Sequence, residues 1–423
     1  MKLINPLIII RILFTVLILE SISFITCLPV SIIYKEPSLP FIWSALVTSV
    51  AALILYFASK DISLKKVSSR EGFISVSLSW IIFTAFGTLP YLFSGTIHSF
   101  IDAFFESSSG FTTTGSTIIP DVESLQFSIL YWRSFTHWIG GLGIIVLVII
   151  ILPVFGITAN HLLPLESSLK EKTHPKVKAM GLRLLYVYLL LTVTEIILLN
   201  LGDMNLFDSI CHTFGTVATG GFSTKNSSIC GYSAYSQYII SLFMFLSGVS
   251  FIVYYYMVKL NFRKVKYNEE LWFYLGTTII SGTIATCILL AKTTKPLEPA
   301  FREGFFQVIS VITTTGYVTT DYLKWPQAGM VLLFILLFAG GCTGSTAGSI
   351  KMVRHLIVLK NIRSTTLKLL HPNVITQIKL NNKQISEQVN ISIISFVVEY
   401  IFIFLVGTII VVITGLDPVT AAS

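Results

Sequence analysis

Charge is scarce in this chain. Asp, Glu, Lys and Arg make up 12% of its 423 residues, 53% are hydrophobic, and mean hydropathy is +0.79. A soluble domain carries about twice that charged fraction, so a water-exposed globular enzyme is excluded and the chain belongs in a bilayer. Cysteine is sparse too. Cys27, Cys211, Cys230, Cys287 and Cys342 show no C-x-x-C or other metal spacing. Cys211 and Cys230 both fall in segments assigned outside, and either pair there or stay free. The histidines also lack metal-ligand spacing. Neither G-x-x-x-x-G-K-[ST] nor a strand-borne G-x-G-x-x-G occurs, so no cofactor is expected in this chain. Spans free of a His/Asp/Glu cluster or a Ser-base pair argue against a membrane-embedded enzyme. Gly344-Ser-Thr-Ala-Gly348 imitates a nucleophile elbow but lacks the preceding strand and any triad.

Membrane-length apolar sequence is abundant. About 20 such residues cross the ~30 Å hydrocarbon core as a helix, which predicts spans near 4–28, 41–59, 73–94, 127–152, 182–201, 236–258, 271–291, 327–359 (interrupted) and 390–414. The first run extends to about Leu28, carries Arg11 and Glu20, and lacks a small-x-small cleavage pattern, so it reads as a retained span and not a signal peptide. Most of the 29 Lys and Arg residues fall in alternate connections, at Lys2, 60–70, 170–183, 259–266 and 351–383. Those connections are cytoplasmic by the positive-inside rule, with the N-terminus inside. The formal charge of +8 therefore calls for no nucleic acid. Acids outnumber bases in the outer segments, where they would concentrate cations at a pore mouth; Asp102 and Glu106 lead that set. Glu20, Glu195 and Glu399 lie inside spans, where a carboxylate is costly and faces protein or water. Arg11 or Arg133 is a candidate partner for one of them, and Arg133 with His137, one turn apart, a candidate cap for its span.

A threonine-rich motif recurs between spans. Its copies are Glu106-Ser-Ser-Ser-Gly-Phe-Thr-Thr-Thr-Gly115, His212-Thr-Phe-Gly-Thr-Val-Ala-Thr-Gly-Gly221 and Val308-Ile-Ser-Val-Ile-Thr-Thr-Thr-Gly-Tyr317. Each follows an amphipathic stretch opening at Asp102-Ala-Phe-Phe, Leu206-Phe-Asp-Ser or Pro299-Ala-Phe-Arg. Such a short helix aims the negative end of its dipole into the membrane. Irregular backbone at that depth is tolerated only where it faces protein or water, and inward carbonyls are how cation filters are built. The order span, short helix, tract, span predicts an all-α polytopic fold of tandem repeats around a pseudo-fourfold pore, preceded by two extra spans. The segments are 1–69 (two spans), 70–155, 156–260 and 261–384 (three pore repeats), and 385–423 (the start of a fourth).

These residues resemble the potassium transporter superfamily that includes the TrkH, KtrB and plant HKT proteins, and TrkH above all because of the two extra spans. The likeness is most specific at Ser109–Gly115, Arg133-Ser-Phe-Thr-His-Trp-Ile-Gly-Gly-Leu-Gly143, Ala218–Thr224, Thr313–Tyr317 and Gly340–Ser349. The resemblance implies a potassium filter whose selectivity needs Gly115, Gly220 and Gly316. Thr113, Thr114, Ala218, Thr219, Thr314 and Thr315 would supply oxygens, and potassium would be the only bound metal, as cargo. It also implies an intramembrane gate loop at Gly340, Gly341, Cys342, Thr343, Gly344, Ser345, Thr346, Ala347, Gly348 and Ser349, with Lys351 either snorkelling or tuning it. Read alone, the glycines at 340, 344 and 348 suit close helix packing slightly better than a loop; the resemblance reverses that balance.

The resemblance further implies a homodimer in the cytoplasmic membrane on a ring of TrkA-like nucleotide-binding regulatory subunits, through which alone a nucleotide would act. The family's fourth tract and last span would follow Ser423. These residues by themselves are therefore not expected to conduct, and the natural protein is expected to continue. A sodium-coupled or sodium-permeant KtrB/HKT-like transporter is the alternative, although glycine in all three tracts favours potassium.

Overall fold

The computed structural model describes residues 5–60, 68–146, 177–374 and 376–422. The expectations that fall on Lys2, on the basic residues of 61–67 and 170–176, and on the span end at 147–152 lie outside them. Nearly all the regular secondary structure of the described residues is helical. α1 (Pro6–Ile25) and α2 (Leu28–Ile33) form the first span and α3 (Leu39–Ser59) the second, with proline in the first turn of each, where its missing N–H costs nothing. α4 (Ser69–Gly87) opens with a reciprocal capping box between Ser68 and Glu71 and continues as α5 (Leu89–Phe93). Then come α6 (Phe100–Phe111), α7 (Phe127–Val146), α8 (Val177–Asn200), α9 (Leu206–Val217), α10 (Ala234–Ser247), α11 (Phe251–Val258) and α12 (Phe262–Lys266). α13 (Glu269–Lys292), α14 (Leu297–Ile312), α15 (Gln327–Leu336) and α16 (Met352–Leu370) follow. A hairpin of β1 (Lys379–Leu380) and β2 (Lys383–Gln384), with Lys379 opposite Gln384, leads to α17 (Glu387–Ile413) and α18 (Pro418–Ala422).

Among the described residues five segments are long and apolar enough to cross a membrane: Pro6–Ile33, Leu39–Ser59, Arg70–Phe93, Glu269–Lys292 and Glu387–Ile413. The sequence reads 236–258 as one uninterrupted span, but it is two helices, α10 and α11, bent by 93°. The break falls at Gly248, where a Cβ would lie 2.4 Å from the Tyr274 hydroxyl oxygen and 3.0 Å from Thr313 Cγ2. The interruption expected within 327–359 runs from the end of α15 to the start of α16.

The chain divides into two compact units. Of the described residues, the first takes in 5–60, 68–146, 177–244 and 315–320, and the second 245–314, 321–374 and 376–422. Phe24, Phe41, Tyr91, Phe111 and Trp132 centre the first core, with the Trp132 indole N–H donating to the Gly87 carbonyl at 3.2 Å. Val253, Tyr274, Ala285, Leu289 and Ile312 centre the second. All five cysteines are free, and Cys211 is buried while Cys230 is exposed, so these two form no disulfide.

Asp203, in the α8–α9 turn, accepts from the Ser233 amide (2.7 Å) and hydroxyl (2.6 Å) and from the Ser236 hydroxyl (2.5 Å). Desolvation pushes its carboxyl up, but these hydrogen bonds outweigh it and leave the pKa below the usual carboxylate value. A depressed carboxylate contributes stability above its unfolded pKa and loses it as pH falls through the folded one. Asp203→Asn should cost under about 1 kcal/mol at neutral pH, since the group is largely exposed. It should also flatten the acid limb of stability, which thermal unfolding of the detergent-solubilised protein against pH would report.

A candidate cation filter and an intramembrane loop

Three short helices carry the tracts. α6 is capped by the Ser99 hydroxyl and α9 by the Asn205 side chain, and α14 follows Pro296; each has an acid in its first turn (Asp102, Asp208, Glu298), which suits the positive end of its dipole. Asp102 is exposed there. The opposite ends share one backbone course. The last helical residues Phe111, Val217 and Ile312 are followed by cap residues Thr112, Ala218 and Thr313. Threonine then takes a left-handed conformation, with φ of 54° at Thr113, 55° at Thr219 and 56° at Thr314. Two residues on, glycine does likewise, with φ of 81° at Gly115, 86° at Gly221 and 83° at Gly316.

Each left-handed threonine costs about 1–2 kcal/mol relative to a right-handed one. The turn recovers part of that in carbonyls satisfied at the helix end: Thr113 N–H donates to Gly110 (3.1 Å), Thr219 to Thr216 (3.0 Å) and Thr314 to Val311 (3.0 Å).

This corrects the register of the second tract. The sequence reading takes Gly220 as its glycine and Ala218 with Thr219 as counterparts of Thr113 and Thr114. Counted from the helix end, Ala218 is the cap, Thr219 matches Thr113 and Thr314, and Gly220 matches Thr114 and Thr315. Gly221 is the counterpart of Gly115 and Gly316. Two adjacent glycines look alike in sequence, and only the helix end tells them apart.

The tracts lie side by side. A Cβ on Gly115 would stand 2.1 Å from the Gly220 carbonyl oxygen, and one on Gly221 would stand 2.0 Å from the Thr315 oxygen. Residues 211–220 are wholly buried, while Thr114 and Gly316 at the flanks are exposed. A Cβ on Gly316 would meet nothing within 4 Å among the described residues. Tyr317 braces the second tract from behind, its hydroxyl donating to the carbonyls of His212 and Phe222, each at 3.0 Å.

Glu106 does not stand at an outer mouth. It is wholly buried, accepts from Arg133 Nε at 2.8 Å, and takes bonds from the Thr117 hydroxyl (2.9 and 3.0 Å) and the Ile118 amide (3.1 Å). The guanidinium then reaches the Ser223 carbonyl at 3.4 Å and covers the Phe222 ring at 4.2 Å. Arg133 therefore pairs with a carboxylate behind the first tract, not with Glu20, Glu195 or Glu399, and it does not cap its span. Glu20 is buried with no hydrogen-bond partner on either oxygen, Glu195 is buried, and Glu399 is exposed on α17. Arg11 stacks on Tyr56 at 4.7 Å.

In the second unit, the segment from Gly340 to Ser349 folds against the break between α10 and α11. Cys342 N–H donates to the Gly248 carbonyl (2.8 Å), Phe251 N–H to the Gly344 carbonyl (3.0 Å) and the Thr346 hydroxyl to the Ser247 carbonyl (3.3 Å). Glu270 receives the amides of Thr343 (2.6 Å) and Val353 (3.2 Å), on either side of the loop. The Ser345 hydroxyl donates to the Cys342 carbonyl (2.6 Å), and Ser349 Oγ to that of Leu337 (2.8 Å). Gly340 N–H reaches the Ile350 carbonyl at 2.9 Å, and a Cβ on Gly341 would lie 2.8 Å from the Gly248 oxygen. Ala347 is buried. The Lys351 ammonium donates to the carbonyls of Ser345 and Ala347. The Gly348 amide donates to the Thr314 hydroxyl at 2.7 Å.

Gly221, His137, Tyr317, Gly248 and Glu270 are the contributors missing from the sequence assignment. Membrane-length helices with tandem glycine-turned oxygen tracts packed together define a polytopic cation-transport protein. The chain belongs to the TrkH family: residues 41–420 match that family, described as cation transport protein. It is accordingly a transport protein and not an enzyme.

It is similar to the Trk system potassium uptake protein TrkH of Escherichia coli K12, at 36% identity over 364 residues, 84% of this chain and 75% of the relative. The Halomonas elongata protein of that name is 33% identical over 430 residues, covering 98% and 87%. Among solved structures, the crystal structure of the potassium transporter TrkH from Vibrio parahaemolyticus superposes with a TM-score of 0.89 at 30% identity, covering 99% of this chain and 88% of that one.

Proposed function

We propose that this protein takes up potassium across the cytoplasmic membrane as the pore-forming subunit of a Trk-type system. Selectivity comes from the carbonyls of 113–115, 219–221 and 314–316. The observation that carries this reading is the contact of tract on tract, Gly115 against Gly220 and Gly221 against Thr315, after identical left-handed turns. Three helix C-termini ending at the tracts add negative potential for a cation that has shed water. Glycine stands at the second left-handed position of every tract, which favours potassium over a sodium-permeant behaviour. The test is ion flux through the full-length protein with sodium competing. Gly316→Asp, which puts a side chain at φ 83°, should abolish potassium preference; retained preference would sink the filter assignment.

The loop at 340–349 acts in this reading as the gate, held by Lys351, Glu270 and the Thr314 hydroxyl. Thr314→Val removes the acceptor for the Gly348 amide while keeping the backbone course. Unstimulated potassium flux should rise severalfold with ion preference unchanged; flux equal to the parent's would show that this bond does not restrain the loop. A homodimer on a TrkA-like nucleotide-binding ring completes the proposal, with the basic segments at 259–266 and 351–383 as docking surfaces.

A further inference from the structure

Across 113–115, 219–221 and 314–316 the second tract differs from its neighbours at one position: Gly220 stands where the others have Thr114 and Thr315. Gly220 does not take the left-handed conformation, so backbone geometry gives no reason for glycine there. The reason is His137, one of the histidines that the filter reading leaves without a role. A Cβ on Gly220 would lie 2.4 Å from His137 Nδ1, 2.5 Å from Cγ and 2.7 Å from Cε1, and these are its three nearest neighbours. The imidazole fills the volume that a threonine side chain would take.

The same ring does more than exclude. His137 is fully buried on α7 and stacks on Phe222 with centroids 4.1 Å apart and planes 17° from parallel. The Phe222 amide donates toward its Nδ1 at 3.4 Å. Arg133, one turn earlier on α7, also lies over the Phe222 ring and is fixed by Glu106. α7 can come this close because Gly140 and Gly141 leave it bare: Cβ atoms there would lie 2.1 Å from the Phe111 carbonyl oxygen and 2.9 Å from Ala218 Cα. The imidazole thus bears on both Gly220, whose carbonyl abuts Gly115, and the amide following Gly221.

We infer that His137 is a positioning residue for ion selection, its imidazole replacing the missing threonine side chain of the second tract and setting where the 219–221 carbonyls stand. This rests on the filter reading. It assigns ion discrimination to a side chain that touches no ion.

The experiment measures potassium and sodium flux through the full-length protein in proteoliposomes for three variants. His137→Ala should lower the potassium-to-sodium ratio about tenfold, the equivalent of about 1.4 kcal/mol between the two ions, while the protein still elutes as a folded species. Gly220→Thr alone should abolish transport, because its side chain meets the ring. Combining Gly220→Thr with His137→Gly should restore transport and much of the ratio, since the second tract then carries the threonine of the other two. Relief of the clash alone would restore transport without the ratio, so the ratio of the double variant is the deciding reading. An unchanged ratio in folded His137→Ala, or a double variant as inactive as Gly220→Thr or active without the ratio, overturns the inference. Where His137→Ala yields no folded protein, the double variant decides. Retained preference in Gly316→Asp would instead remove the filter reading beneath it.

Discussion

Gly115→Ala and Gly221→Ala should each abolish potassium-selective transport, although each adds one methyl group. The methyl would lie 2.1 Å from the Gly220 oxygen in the first case and 2.0 Å from the Thr315 oxygen in the second. In both, the obstacle is main chain of the next tract, which has no rotamer through which to yield. The two glycines also hold φ of 81° and 86°, where a side chain costs about 1–2 kcal/mol before any contact is counted. Overpacking adds about 1–3 kcal/mol, occasionally more. Relief comes only by moving a carbonyl that is to face the ion. Preference for potassium over sodium should drop by at least about tenfold, with surface expression near the parent's. Gly276→Ala, in a helix and with nothing within 4 Å of its Cβ, is the matched control. A Gly115→Ala or Gly221→Ala protein as selective as that control would show that the tracts do not meet as described.

Breaking the Glu106–Arg133 pair should have the largest effect on stability. Both side chains are buried, 2% exposed for Arg133 and 0% for Glu106. Removing one partner of such a pair costs about 3–5 kcal/mol, because the other charge stays buried without compensation. Glu106→Gln also weakens the acceptor used by the Thr117 hydroxyl and the Ile118 amide. Arg133→Gln frees the Ser223 carbonyl and uncovers Phe222. Each single change should lower the thermal midpoint in detergent sharply and reduce uptake, because the pair ties the chain beyond the first tract to the second. Changing both together should cost less than the two losses added, since neither charge is then stranded. Strict additivity would mean that the two groups act independently despite their 2.8 Å contact.

Much of this was legible in the sequence, for physical reasons. Helices that must cross a bilayer need long apolar runs, so the spans near 4–28, 41–59, 73–94, 271–291 and 390–414 could be read without knowing their packing. The three tracts were legible because threonine-rich sequence between such runs is costly unless it faces an ion or water. The second-tract register was not, because Gly220 and Gly221 are chemically identical until the end of α9 is located. Glu106 was misread because an acid near a filter looks the same whether solvated or paired; Arg133, whose sequence suggested an intramembrane partner, held the clue on another helix. The bend at Gly248 was obscured by the hydrophobicity around it. Its faint signal was Ser247-Gly-Val-Ser250, small residues too few to predict a break.

That bend carries a thermodynamic consequence. Gly248 has its carbonyl, and Phe251 its amide, satisfied by the backbone of Cys342 and Gly344 on the facing segment. Displacing that segment strands main-chain dipoles on both sides at once, and a buried group left without a partner costs about 1–3 kcal/mol. Only water can take up those bonds. Movement of the segment is therefore inseparable from wetting, and osmotic stress, by lowering water activity, should hold it in place.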